Sequence, residues 1–257
     1  MSVLPESLPR ERRAPFEWRR ANPLGSLALL RSHRELLGLA SVNFLGQLAH
    51  AVLPSVTVLY MGYRYGWDER TVGLVMAGVG ICSMVVQGAL IGPVVRRFGE
   101  RSALILGLLF GTAGFATYGI ASTGSVFLVG VPLMALWGFA SPAALGLMSR
   151  RVGPHEQGQV QGANGSIAGI ANMIGPGLFT QVFAAAIASE RSWHFPGAPF
   201  GLAALMLLAT IVIAWRVRVT SSPDGRPRRR AEIRDSLPRI PLRSMRATRQ
   251  APVPENP

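Results

Sequence analysis

ALILGLLFGTAGFATYGIA, residues Ala103–Ala121, runs for 19 positions without Asp, Glu, Arg, Lys or His. At about 1.5 Å of rise per residue, a helix of that length matches a hydrocarbon core of about 30 Å. The pattern repeats on both sides of it. Further stretches free of Asp, Glu and Arg lie at Leu36–Tyr60, Val72–Val95, Val126–Met148, Val160–Ile187 and Phe200–Trp215. Each is about twice the length of a membrane β-strand and lacks the alternation of one, so each reads as a helix that satisfies its own backbone in lipid. The fold class is therefore an all-α membrane protein, a bundle of six transmembrane helices. The mean hydropathy of +0.31 and the 49% hydrophobic content agree with this, although the distribution of charge, and not the total, decides it.

The segments between the runs are short: Gly62–Thr71, Arg96–Ser102, Ser122–Ser125, Ser149–Gln159 and Ala188–Pro199. The helices must then form a compact bundle with neighbouring antiparallel pairs. Gly88/Gly92, Gly107/Gly111, Gly165/Gly169 and Gly197/Gly201 have the GxxxG spacing that lets membrane helices approach closely. Internal Pro54, Pro132, Pro142 and Pro176 are expected to kink or break their helices. The domain organisation expected is a cytoplasmic linker over 1–35, the bundle over 36–217 and a disordered Arg-rich tail over 218–257. The linker has an amphipathic stretch, Leu24–Leu37, that suits a short interfacial helix, and no apolar signal-peptide core.

All 26 basic residues are Arg, and the formal net charge is +13. With the N-terminus inside, 23 arginines fall on the inner side and three, Arg64, Arg70 and Arg191, on the outer side. This asymmetry places both termini in the cytoplasm. It also accounts for the cluster Arg226, Arg228, Arg229 and Arg230. Such a segment after the last helix suits an anionic lipid surface, so lipid and not nucleic acid is the expected partner.

Soluble-enzyme signatures are missing. A chain without Lys has no phosphate-binding GK[ST] loop, and there is no HExxH, GxSxG or paired-cysteine motif. The chain is not expected to be an enzyme or to hold a metal or cofactor. Cys82 is the sole cysteine and reads as a small buried apolar residue. Connections this short also leave no room for the coupling segments of an ATP-driven transporter.

The informative residues are polar ones inside the runs. Asn43, Gln47 and His50 stand at i, i+4 and i+7, on one face of the first helix. Gln87 lies in the second helix, and Asn164 and Asn172, eight apart, lie on a similar face of the fifth. A polar side chain in lipid needs a partner, water or a ligand. Two readings stay open: a substrate pathway, or hydrogen bonds that join helices. No Asp or Glu lies in any run, which leaves His50 as the intramembrane group that titrates near neutral pH.

The segment Gly92-Pro-Val-Val-Arg-Arg-Phe-Gly-Glu-Arg101 resembles the loop signature of the major facilitator superfamily, in its second-half copy. Leu4-Pro-Glu-Ser7, Trp18-Arg-Arg-Ala-Asn-Pro-Leu24, Gly66-Trp-Asp68, Gln157-Gly-Gln-Val-Gln-Gly162 and Ile174-Gly-Pro176 together resemble the tetracycline-efflux branch. The likeness runs from residue 4 to about residue 217. It implies half of a twelve-helix fold, a bacterial inner-membrane location, and export of a small amphiphilic substrate against protons. It also implies a cytoplasmic gate loop built on Gly92, Arg96, Arg97, Gly99 and Arg101. The likeness covers only the second six helices, so the implied partner is a separate N-terminal half or a second copy. The branch carries an acid in the third helix of this half, where this chain has Gly111. Its second-helix histidine corresponds to Ser83, while its glutamine is kept as Gln87. Arg96 occupies the usual position of the loop aspartate. The competing reading is a non-transporting membrane interaction protein that acts through its basic tail.

Overall fold

The computed structural model describes residues 34–152, 156–188 and 194–216. The expected linker over 1–35 and the interfacial helix over Leu24–Leu37 lie outside these residues except at their C-terminal ends, and the tail of 218–257 lies wholly outside them. The described residues are helical, with five helices long and apolar enough to cross a membrane. One of these, Glu69–Ile120, has 52 residues. Unbroken, it would be about 78 Å long, more than twice a hydrocarbon core. Gly99 divides it, with φ 79° and ψ 163°, a conformation open essentially to glycine alone. The described residues therefore make six crossings.

The first crossing is α1 (Arg34–His50) followed by α2 (Val52–Tyr65). They separate at Ala51, whose N–H is shared between the carbonyls of Gln47 and Leu48 at 3.2 and 3.1 Å. Pro54 causes the break, because it has no N–H to offer the His50 carbonyl. Gly66, left-handed at φ 66°, ends α2. Asp68 then caps α3 (Glu69–Val85) by accepting the Thr71 N–H at 3.0 Å. The Thr71 side chain and amide together hold the Asp68 carboxyl below its ordinary pKa. The second crossing continues through a π turn, Val86–Leu90, into α4 (Ile91–Ile120), whose part beyond Gly99 is the third crossing.

The fourth crossing is α5 (Gly124–Leu136), a 3-10 turn at Trp137–Phe139, and α6 (Ala140–Ser149). The 3-10 turn falls where Pro142 removes the donor for the Gly138 carbonyl. The last two crossings are α7 (Gln157–Ile187) and α8 (Ala198–Arg216). Two of the four expected proline breaks do not form, since α5 and α7 run on through Pro132 and Pro176. At Pro176 the Thr180 hydroxyl bonds back to the proline carbonyl at 2.6 Å.

The helices also outrun the apolar stretches. Arg64, Glu69, Arg70, Arg96 and Arg97 are helical although they flank the runs. Hydropathy marks the part of a helix that lies in hydrocarbon, and the backbone ladder continues into the headgroup region.

Packing centres on α4. It lies against α8 on one side and against the fourth crossing on the other, while α1 packs on α7 and α8. Gly107, Gly111 and Gly114 face the fourth crossing. An ideal Cβ at Gly107 would stand 2.7 Å from the Ala140 nitrogen, and one at Gly114 would stand 2.7 Å from the Met134 sulfur. Gly119 and Gly197 make a similar approach between α4 and the start of α8. Of the other spaced glycines, Gly88, Gly165 and Gly169 have no neighbour within 4 Å of such a Cβ, and Gly92 and Gly201 meet only a side chain, at 4.0 and 3.8 Å.

One end of the bundle is closed by aromatics. Tyr118 stacks on Phe127 at 4.1 Å, and Tyr60 meets Phe200 edge-on at 5.0 Å. The Tyr60 hydroxyl donates to the Tyr118 carbonyl at 3.0 Å, and the Tyr65 hydroxyl donates to the Ala121 carbonyl at 3.1 Å. These bonds satisfy carbonyls that the end of α4 leaves without helical partners. The apolar faces of α3 and α7 remain uncovered: Leu74, Met84 and Met173 are 66%, 68% and 77% exposed.

Gly107→Val drives a side chain into the Ala140 backbone. It is expected to destabilise the bundle by about 1–3 kcal/mol, read as a lowered unfolding midpoint of the purified protein in detergent. Gly165→Val, which meets open space, should change stability by less than about 0.5 kcal/mol. Equal midpoints for the two variants would discount the close approach of α4.

Candidate functional site

Three helix irregularities converge on one place. His50 precedes the Ala51 break, Gln87 lies in the π turn, and Trp137 opens the 3-10 turn. All three line a 690 Å³ cavity between the first four crossings. Breaks of this kind mark binding sites in membrane transporters, because unwound backbone is tolerated only where it faces a cavity. The volume is within the range of pockets for drug-sized molecules.

The polar lining comes from several elements. Asn43, Gln47 and His50 descend one face of α1, as their spacing predicts. Ser83 of α3, Gln87 of the π turn and Ser141 of α6 stand across from them. Leu104 and Leu108 of α4 supply apolar floor. The His50 ring lies 5.5 Å from that of Trp137, tilted by 42°. Trp137 is in turn supported edge-on by Phe115 at 5.3 Å.

The two asparagines of α7 do not line this cavity. Asn43 donates through its carboxamide nitrogen to Oδ1 of Asn164, which joins α1 to α7. Asn172 is exposed on another part of α7. Eight residues of helix advance about 80° beyond two full turns, so the two asparagines point in different directions.

Trp137, Ser141 and the Glu100–Arg150 pair were not legible as site residues. Trp137 and Ser141 sit in an apolar run and read as core. Glu100 follows the Gly99 turn, and its Oε1 accepts from Arg150 Nε at 3.0 Å. The carboxylate rests on Gly146, where an ideal Cβ would come within 2.8 Å of it. The pair ties the turn between the second and third crossings to the end of the fourth. Of the expected gate residues, Gly92, Arg96, Arg97, Gly99 and Arg101 are all exposed at this end. The Arg97 guanidinium lies 6.0 Å from the neighbouring Phe98 ring.

Gly111 stands directly behind the Trp137 indole. An ideal Cβ there would be 2.6 Å from Cγ of Trp137 and 2.9 Å from a methyl carbon of Leu207. The bulk of Trp137 thus occupies the space that an acid at position 111 would need.

Six crossings, with interrupted helices around a shared cavity, define one half of a facilitator-type transporter fold. The Major Facilitator Superfamily model matches residues 2–176 and, in an overlapping match, 39–253, so the chain belongs to that superfamily. It is 30% identical over 192 residues to the class C tetracycline resistance protein of Escherichia coli, covering 75% of this chain and 48% of that protein. It is 32% identical over 142 residues to the class B protein of Escherichia coli, covering 55% and 35%. It is 30% identical over 186 residues to the human Hippocampus abundant transcript-like protein 1, covering 70% and 37%. The chain thus spans about half, or less, of the length of these curated relatives. Among solved structures, the human organic anion transporter MFSD10 (TETRAN) superposes with a TM-score of 0.65 at 23% identity, over 82% of this chain and 52% of that one. This likeness shows the fold.

A double-mutant cycle on Asn43→Ala and Asn164→Ala should give a coupling of about 0.6 kcal/mol, the average for interhelical hydrogen bonds in membranes. Unfolding in mixed detergent micelles measures it. Zero coupling would mean that the bond does not join the helices in solution.

Proposed function

We propose that the chain supplies one six-helix wall of an exporter for small amphiphilic compounds. Export runs by alternating access, in which two halves rock about a site at the midplane. The observation that carries this is the convergence of three helix breaks and the Asn43–Gln47–His50 face on one cavity. Family membership and the tetracycline-resistance relatives support export over uptake.

The uncovered apolar faces of α3 and α7, beside the cavity-lining helices, suit contact with a second six-helix half. That half is a separately encoded chain or a second copy of this one. The arginine asymmetry supports a bacterial inner-membrane orientation with both termini in the cytoplasm. Gly99, Arg96, Arg97, Arg101 and the Glu100–Arg150 pair then lie at the cytoplasmic end and act as the gate loop.

Coupling to protons falls to His50. Among the described residues it is the imidazole that lines the cavity, and no carboxylate stands beside it there. Its contact with Trp137 gives the protonated ring an aromatic partner in place of a carboxylate.

Expressed in cells lacking their own exporters, the chain together with a first half should lower accumulation of an amphiphilic drug. The chain alone does so only if two copies suffice. Accumulation equal to empty membrane in both arrangements would end the transporter reading. His50→Gln should make the residual efflux insensitive to a protonophore. Efflux that stays protonophore-sensitive in this variant would move the coupling site elsewhere.

A further inference from the structure

The cavity wall carries hydrogen-bonding groups but no fixed charge. Its polar side chains are the carboxamides of Asn43, Gln47 and Gln87, the hydroxyls of Ser83 and Ser141, and the imidazole of His50. Among the described residues, no Asp, Glu or Arg lines the cavity. A permanently charged ligand that left water for this wall would lose its hydration without gaining a counter-ion.

An aromatic face can replace a carboxylate as the partner of a cation. Trp137 is the aromatic residue lining the cavity, and its ring is already engaged. His50 stands 5.5 Å from it, Phe115 meets it at 5.3 Å, and the Gly111 backbone presses against Cγ and Cδ1. The close packing at Gly111 blocks the neighbouring backbone from holding a compensating acid. The carboxamides behave differently. Each offers a donor and an acceptor, so Gln47 and Gln87 recognise amide, carbonyl and hydroxyl groups without any charge on the ligand.

We propose that this wall binds an uncharged aromatic amphiphile through the carboxamides of Gln47 and Gln87 and excludes permanent cations. The proposal rests on the transport reading for its physiological role, but binding is read separately from transport.

The test uses the purified full chain in nanodiscs, with radiolabelled chloramphenicol as the uncharged aromatic amide and tetraphenylphosphonium as the cation, against empty nanodiscs. Chloramphenicol is expected to bind saturably above the empty-disc level, and tetraphenylphosphonium is not. The double variant Gln47→Ala/Gln87→Ala should weaken chloramphenicol binding at least tenfold with an unchanged melting midpoint. Gln87→Glu supplies the missing carboxylate and should create saturable tetraphenylphosphonium binding while weakening chloramphenicol. Two results each overturn the proposal: saturable tetraphenylphosphonium binding by the parent chain as tight as that of chloramphenicol, and chloramphenicol binding no greater than in empty discs. Selective binding that persists in a chain unable to lower drug accumulation with any partner half would instead discard the transport reading and keep the site.

Discussion

The close approach of α4 to the fourth crossing organises the rest of the bundle. Gly107, Gly111 and Gly114 remove three side chains from one face of α4, so Ala140, Trp137 and Met134 can lie directly on its backbone. Lipid supplies little hydrophobic drive for helices to associate, so packing of this kind carries the association. It also fixes Trp137. With the indole held against Gly111 and Phe115, His50 has a rigid aromatic surface beside it. Position 111 is thus a packing contact between α4 and the fourth crossing, with no room for a longer side chain.

A second constraint is the satisfaction of backbone groups inside a membrane. Helices are obliged to close their own hydrogen bonds, and an interruption is tolerated only beside polar groups or space for water. The described crossings obey this closely. The breaks at Ala51, at Val86–Leu90 and at Trp137–Phe139 all border the same cavity. Pro132 and Pro176 lie in helices that stay continuous, and the Thr180 hydroxyl back-bonds to the Pro176 carbonyl. Where α4 ends, the hydroxyls of Tyr60 and Tyr65 take over the role of missing amides.

The polar residues divide into two kinds of work. Asn43 does both, since it lines the cavity and is bonded to Asn164 on α7. Gln47, His50 and Gln87 face the cavity, and no hydrogen bond to a protein group is seen for their side chains among the described residues. They are available to a ligand in a way that Asn164 is not. At the opposite end from the aromatics, Glu100 supplies the acidic group that Arg96 does not, and it reaches Arg150 from the residue after the turn.

The sequence by itself determined the six crossings and their order, because runs of uncharged residues are local features. It also determined that Asn43, Gln47 and His50 share a face, because positions within one straight helix follow from its period alone. It overestimated two of the prolines, Pro132 and Pro176, since their helices run on through them. It placed Asn164 and Asn172 together although their angular separation, and the neighbour each meets, differ. Only the tertiary structure decided that Gln87 and Trp137 meet the α1 face across one cavity. The physical reason is that periodicity fixes an angle about one helix axis, whereas the rotation of one helix against another is set by the glycine contacts between them. The π and 3-10 turns shift that angle again within a crossing. A wall lined with neutral hydrogen-bonding groups is therefore a property of the packed bundle, which no single stretch of its sequence contains.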